Sequence, residues 1–198
     1  MTSAPELTPE LFWQHSLQHY AQPGVADACL ALQDNYQVNV NLLLFYHWCC
    51  TVNQPIPPVL RKALNEAVAT TDPAIQSHRI KRRAAKGSSD YEALKQRELE
   101  LEAAQQAELV AAYQKIKGSE SLNRAFNDSD PLICVIEVLG LPHNQAVRTL
   151  ITTVLQAGPY GPINHTEALL KAALLPRVGR ATGIFRPSGR VLCSVVYH

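Results

Sequence analysis

The stretch from Phe12 to Cys50, FWQHSLQHYAQPGVADACLALQDNYQVNVNLLLFYHWCC, constrains the fold more than any other part of the chain. It holds 7 of the 13 aromatic residues and 3 of the 5 cysteines, and no Lys or Arg occurs before Arg61. A segment with so few charges has to bury itself. Its spacing is helical. Thr8-Pro9-Glu10 reads as an N-cap, a Pro at the first helical position and an acid in the first turn. That helix should end before Pro23-Gly24. Phe12, Trp13, Ser16, Leu17 and Tyr20 share one face, with Gln14, His15 and Gln18 on the other and His19 at the edge. A second helix, from about Val25 to Asn35, turns Val25, Cys29 and Leu32 inward. Asn39 caps a third, Val40 to about Cys50, which is apolar nearly all round and so belongs at the centre of the core.

The rest of the chain is also read as helix. The prolines at 55, 57 and 58 lead into a helix from about Pro58 to Thr70, and Asp72-Pro73 is expected to break it and start another that ends at Gly87. Ser89-Asp90-Tyr91-Glu92 has the form of a capping box and opens a helix that runs to Lys117. Only Gly87 and Ser88 separate these helices, so they should fold back as an antiparallel hairpin. Asp130-Pro131 and Pro142 start two shorter helices, and Asn164 or Thr166 a third. The expected fold is all-α: a compact helical bundle with a long helical hairpin arm and a looser C-terminal region. The expected division is a helical domain over 8–117 with the arm at 72–117, a C-terminal helical region over 118–175, and a basic, poorly ordered tail over 176–198.

A net charge of +1 gives no global pull toward nucleic acid or membrane. The N-terminus lacks a basic region followed by an apolar run, which disfavours a secretory signal, and no C-x-x-C occurs. Reduced thiols in a cytoplasmic protein are expected. No phosphate-cradling loop, nucleophile elbow or zinc spacing is present, so no cofactor, metal or catalytic residue is assigned and an enzyme is disfavoured. His15 and His19 have i,i+4 metal-pair spacing but read better as histidines on a polar surface face. Asp27 and Asp34, two helical turns apart, are too distant to share one ion. His19, Asp27, Asp34, Asn39 and His47 are kept as candidates for a polar pocket, on condition that they converge.

The sharpest charge feature is HRIKRRAAK at 78–86, where Arg79, Arg82, Arg83 and Lys86 fall on one helical face. Such a stripe suits an acidic partner protein or the phosphates of RNA. No aromatic is interleaved for base stacking. The intramolecular alternative is pairing across the hairpin with Glu92, Glu98, Glu100, Glu102 and Glu108. The long helix carries an apolar stripe from Tyr91 to Ile116 that is broken at Glu98 and Gln105, which reads as a solvated or projecting N-terminal half.

FWQHSLQHYAQPGVADACLALQD, VNLLLFYHW and HRIKRRAAKG followed by YEALKQRELELEAAQQAELVAAY occur here in one order. Together they resemble the bacterial family called domain of unknown function 2390, over roughly residues 10–117. The resemblance implies a small cytoplasmic bacterial protein, mainly of gammaproteobacteria, with no established activity. Genomic proximity to a ribosome-type ATP-binding cassette protein adds a pointer to translation-related partners. The family pattern often has Gly where this chain has Gln37, and commonly Asp where it has Asn39. The leading expectation is a non-enzymatic protein–protein interaction or adaptor module. A ribosome- or RNA-associated factor and a small-molecule enzyme stand behind it.

Overall fold

Seven helices make up the secondary structure of the computed structural model, which describes residues 6–117 and 130–157. In chain order they are α1 (Pro9–Tyr20), α2 (Val25–Tyr36), α3 (Val40–Thr51), α4 (Pro58–Ala84), α5 (Tyr91–Ile116), α6 (Pro131–Val138) and α7 (Gln145–Gln156). The expected capping at the first helix is present: Thr8 Oγ1 accepts from the Leu11 N–H at 3.3 Å. At the third, Asn39 Oδ1 accepts from the Leu42 N–H at 3.0 Å. α3 is the central element, with the run Asn41–His47 entirely buried. Its Phe45 meets Phe12 of α1 and Tyr113 of α5 edge-on, which is the favoured geometry for aromatic rings.

α2 ends with Gln37 in the left-handed region at φ +56°, where its N–H donates to the Gln33 carbonyl at 3.0 Å. That conformation turns the chain directly into α3, and it is a position at which glycine is the usual residue. α3 ends with Asn53 in the same region, followed by a bond from the Gln54 N–H to the Cys49 carbonyl at 2.8 Å.

One expectation is corrected in α4. Residues 58–84 form a single helix, with Pro73 in its interior rather than at a new start. Asp72 does not cap a helix. Its Oδ1 instead accepts from the Asn39 side-chain amide at 2.8 Å. Just before the proline, the Thr70 and Thr71 hydroxyls donate to the Glu66 and Ala67 carbonyls at 2.9 and 2.8 Å. α5 begins at Tyr91 without the capping box: Asp90 is the N-cap residue and makes no side-chain cap bond. α4 and α5 pack along each other as the expected antiparallel hairpin. Each is about 40 Å long.

The core of Leu60, Leu64, Leu109, Val110 and Tyr113 joins the base of the hairpin to α1 and α3. α7 lies against α2 and α6. It starts at Gln145 rather than at Pro142, because Asn144 Oδ1 caps the Val147 N–H at 2.9 Å. The expected helix near Asn164–Leu175 and the basic tail lie outside the described residues.

Candidate functional site

Away from the apolar base, the hairpin interface is ionic. Arg82 (2% exposed) and Glu98 (1% exposed) pair at 2.6 Å through Nε and Oε2. Arg79 donates through Nε to Glu98 Oε1 at 3.0 Å and through Nη2 to Glu102 Oε1 at 3.3 Å. His78 closes the same seam by a 2.8 Å contact of Nε2 with the Leu94 carbonyl. Buried charges of this kind fix the register of two helices more than they add stability, because desolvation offsets most of the attraction.

The polar seam continues into the bundle through amides. Gln105 Oε1 accepts from Asn39 at 3.1 Å and from Asn41 at 2.8 Å, and its Nε2 donates to Thr71 Oγ1 at 2.8 Å. Gln106 donates to Asn41 Oδ1 at 2.8 Å and accepts from Ser16 Oγ at 3.2 Å. Each buried amide is therefore matched, as burial demands.

Over this network lies a cleft of about 430 Å³, bounded by the α2–α3 turn on one side and by α4 and α5 on the other. That size is within the range of small-molecule sites. Its floor holds Asn39, Glu102 and Gln105, and Asp34, Asp72 and Arg83 stand around it. Glu102 is only 8% exposed, and its one hydrogen bond, from Arg79, uses Oε1. The other carboxylate oxygen is unpartnered. Burial pushes the Glu102 carboxyl up to about 7; Arg79 opposes the shift and the Glu98 charge adds to it.

A second polar cluster sits in the core. His19 and His47 stack with centroids 3.5 Å apart, and His15 Nε2 lies 3.1 Å from His47 Nδ1. Burial lowers all three imidazoles: His15 to about 3 and His19 to about 4, with His47 held well below its ordinary value. Their mutual charges add to the shifts of His15 and His47. Nε2 of His19 is buried without a partner. Among the described residues no group of three His, Cys, Asp or Glu is placed to hold a metal ion.

These positions correct several expectations. His15 does not face solvent from a polar surface; it turns to His47, because α1 crosses the buried run of α3. The five pocket candidates do not converge. His19 and His47 meet in the core, Asp34 and Asn39 line the cleft, and Asp27 is exposed and belongs to neither. The basic stripe divides: Arg79 and Arg82 turn inward to Glu98 and Glu102, while Arg83 and Lys86 remain exposed. Arg83 faces Asp34 at 3.9 Å. The N-terminal half of α5 is not simply solvated, since Glu98 and Glu102 are buried. Of the polar cleft residues, Glu102 was weighed in the sequence only as a partner for the basic stripe, Gln105 only as a break in the α5 stripe, and Asp72 only as part of an expected helix boundary.

The cysteines offer no activated thiol in the described residues. Cys29, Cys49, Cys50 and Cys134 are free, and burial pushes Cys29 and Cys50 up to about 12. No described helix is long and apolar enough to cross a membrane.

Fold and site together define an all-helical protein with a polar, carboxylate- and amide-lined cleft at the root of a helical hairpin. The chain belongs to a family of proteins of unknown function, DUF2390, whose model matches residues 11–109. That span covers α1 to α3, all of α4 and most of α5, and so every residue of the cleft. No curated protein and no solved structure matches the chain.

Proposed function

We infer that this protein is a non-enzymatic interaction module that recognises its partner at the cleft and at the Arg83 rim beside it. The reading is carried by Glu102, a carboxylate nine-tenths buried that keeps one oxygen unbonded and opens into a cleft. The composition of the lining favours recognition over catalysis. Among the described residues that line the cleft there is no Ser, Thr, Cys, His, Lys or Tyr; its ionisable side chains are Asp34, Asp72, Glu102, Arg79 and Arg83. The free thiols of Cys29, Cys49, Cys50 and Cys134 fit a reducing compartment, which supports a cytoplasmic location. A ribosome- or RNA-associated role would rest on the exposed Arg83 and Lys86, without Arg79 and Arg82.

The test is capture of partners by the tagged full-length chain from cell extract, with and without nuclease. Gln76→Trp, at an exposed position on the cleft edge, fills the opening, and Arg83→Glu reverses the charge of the rim. Both variants are expected to lose the captured protein, while Lys62→Glu, on the exposed surface of α4 away from the cleft, retains it. Capture unaffected by both cleft variants would overturn the reading. Capture that disappears on nuclease treatment alone would replace it with the RNA alternative.

A further inference from the structure

Where α1 crosses α3, three imidazoles meet without a carboxylate to compensate them. His15 and His19 come from α1, one turn apart, and His47 from α3. His19 is 5% and His47 3% exposed, while His15 closes the group from its partly exposed side. The His19 ring lies over His47 with centroids 3.5 Å apart and planes 11° from parallel. His15 lies beside His47, with centroids 5.1 Å apart and Nε2 at 3.1 Å from His47 Nδ1. Nε2 of His19 is buried and makes no hydrogen bond.

This geometry limits how many protons the group can hold. A single N–H serves the His15–His47 contact, one ring donating and the other accepting. An imidazolium carries a hydrogen on both nitrogens. If both rings were charged, two hydrogens would face each other across 3.1 Å, so the pair accepts at most one further proton without separating. A charged His19 would lie 3.5 Å above that same pair, away from the water that screens like charges at a surface. The titratable groups acting on the rings are the rings themselves: His19 on His15, and both on His47. From α7 the Val154 carbonyl favours charge on His19, and burial outweighs it. From α5 the nearest polar partner is the neutral Gln106 amide, reached by Ser16. Among the described residues, α2 and α6 bring no charge to bear on any of the three.

The two rings on α1 can leave together. α1 passes into α2 through Gly24, which holds φ +80°. Across to α5, its Ser16 hydroxyl donates to Gln106 at 3.2 Å, and the Leu7 carbonyl just ahead of it accepts from Gln114 at 2.8 Å. α3, by contrast, is enclosed along its whole run from Asn41 to His47. We propose that the three histidines form an acid-operated latch for α1: uncharged, they hold it on α3, and uptake of two or more protons swings it off about the Gly24 turn while α3, α4 and α5 stay packed. The movement turns Phe12 and Phe45, now fully buried edge to face at 5.2 Å, toward solvent. The latch stands apart from the cleft and needs no ligand. It differs from a uniform loss of stability in that one helix moves.

Amide hydrogen exchange of the full-length protein, corrected for the intrinsic rate at each pH, tests this at pH 7, 6 and 5. A proton taken up only by the open form, at the ordinary imidazole value of 6.5, multiplies the opening constant by up to about tenfold per pH unit. Opening of Ser16–Tyr20 should therefore grow by more than tenfold between pH 6 and 5, roughly 50-fold for two protons. Leu109–Tyr113 of α5 should stay protected throughout. The double variant His15→Gln/His19→Gln leaves one ring and should reduce the growth to about tenfold or less. The proposal is overturned if growth in the wild type does not exceed about tenfold, if α1 and α5 open together, or if the double variant keeps the wild-type growth. Should that variant lack helical circular dichroism at pH 7, the imidazole resonances of the wild type decide. Rings that titrate together, in step with α1 exchange, support the latch; rings that titrate one by one with α1 still protected overturn it.

Discussion

Gln37 shows how a single residue can sit against its own backbone preference for the sake of a turn. It holds φ +56°, a conformation that L side chains adopt at a cost and glycine does not. The turn it makes carries the chain from α2 into the Asn39 cap, and so sets one wall of the cleft. Glycine is the residue that this geometry prefers. Gln37→Gly is expected to raise unfolding free energy in urea by about 0.5–1 kcal/mol, the relief of left-handed strain outweighing the added freedom of the unfolded chain. A β-branched Gln37→Val should shift the midpoint the other way. A glycine variant no more stable than wild type would mean that the glutamine side chain contributes at the rim enough to offset its backbone.

At the scale of the helix, α4 carries a proline fifteen residues past its start yet remains one helix. The sequence reading broke it there because Asp-Pro is ordinarily a boundary. The decisive fact lay elsewhere, in the Asn39 amide that engages Asp72 from α3. A proline at this position removes the donor to the Ala69 carbonyl and crowds it, at a cost of about 3 kcal/mol in a helix interior. Pro73→Ala should therefore stabilise the protein by about 1–3 kcal/mol in equilibrium unfolding, with helical circular dichroism at least as strong. A loss of stability would show that Pro73 helps to seat Asp72. The hairpin partner α5 tells a related story. Its apolar base could be read from periodicity and the hairpin from the short connection at Gly87 and Ser88, while the capping box expected at 89–92 is not formed. The breaks at Glu98 and Gln105 were visible too, but a polar residue in a stripe looks the same whether it meets water or a buried partner. The pairing of Arg79 and Arg82 with Glu98 and Glu102 is the intramolecular alternative read from the sequence, whereas the contacts of Gln105 with Asn39 and Asn41 are set by packing that no single-helix pattern contains. His15, His19 and His47 escaped for the same reason: their meeting depends on where α1 crosses α3.

Taken as a whole, the molecule carries two buried titrating clusters that pull its stability in opposite directions with pH. The histidines have folded-state values below the ordinary 6.5, with His19 at about 4. As pH falls below about 6.5 the unfolded chain takes up protons that the folded core refuses, so stability is lost toward pH 4 at about 1.4 kcal/mol per pH unit for one such site. Glu102 has the reverse sign. Its folded value of about 7 lies above the ordinary 4.5, so between those limits the folded state holds a proton that the unfolded chain has released, and stability is gained as pH falls. Between pH 6.5 and 4.5 Glu102 thus offsets roughly one histidine, and His47 adds to the loss. Below 4.5 the offset ends. Unfolding free energy in urea should be flat from pH 7 to 8, fall from 6.5 to 4.5, and fall more steeply below 4.5. Glu102→Gln should steepen the middle range, since it removes the opposing proton, and His47→Phe should flatten it. A wild-type profile that stays level from pH 7 to 5 while Glu102→Gln also stays level would show that the three rings are not excluded from protonation in the folded core.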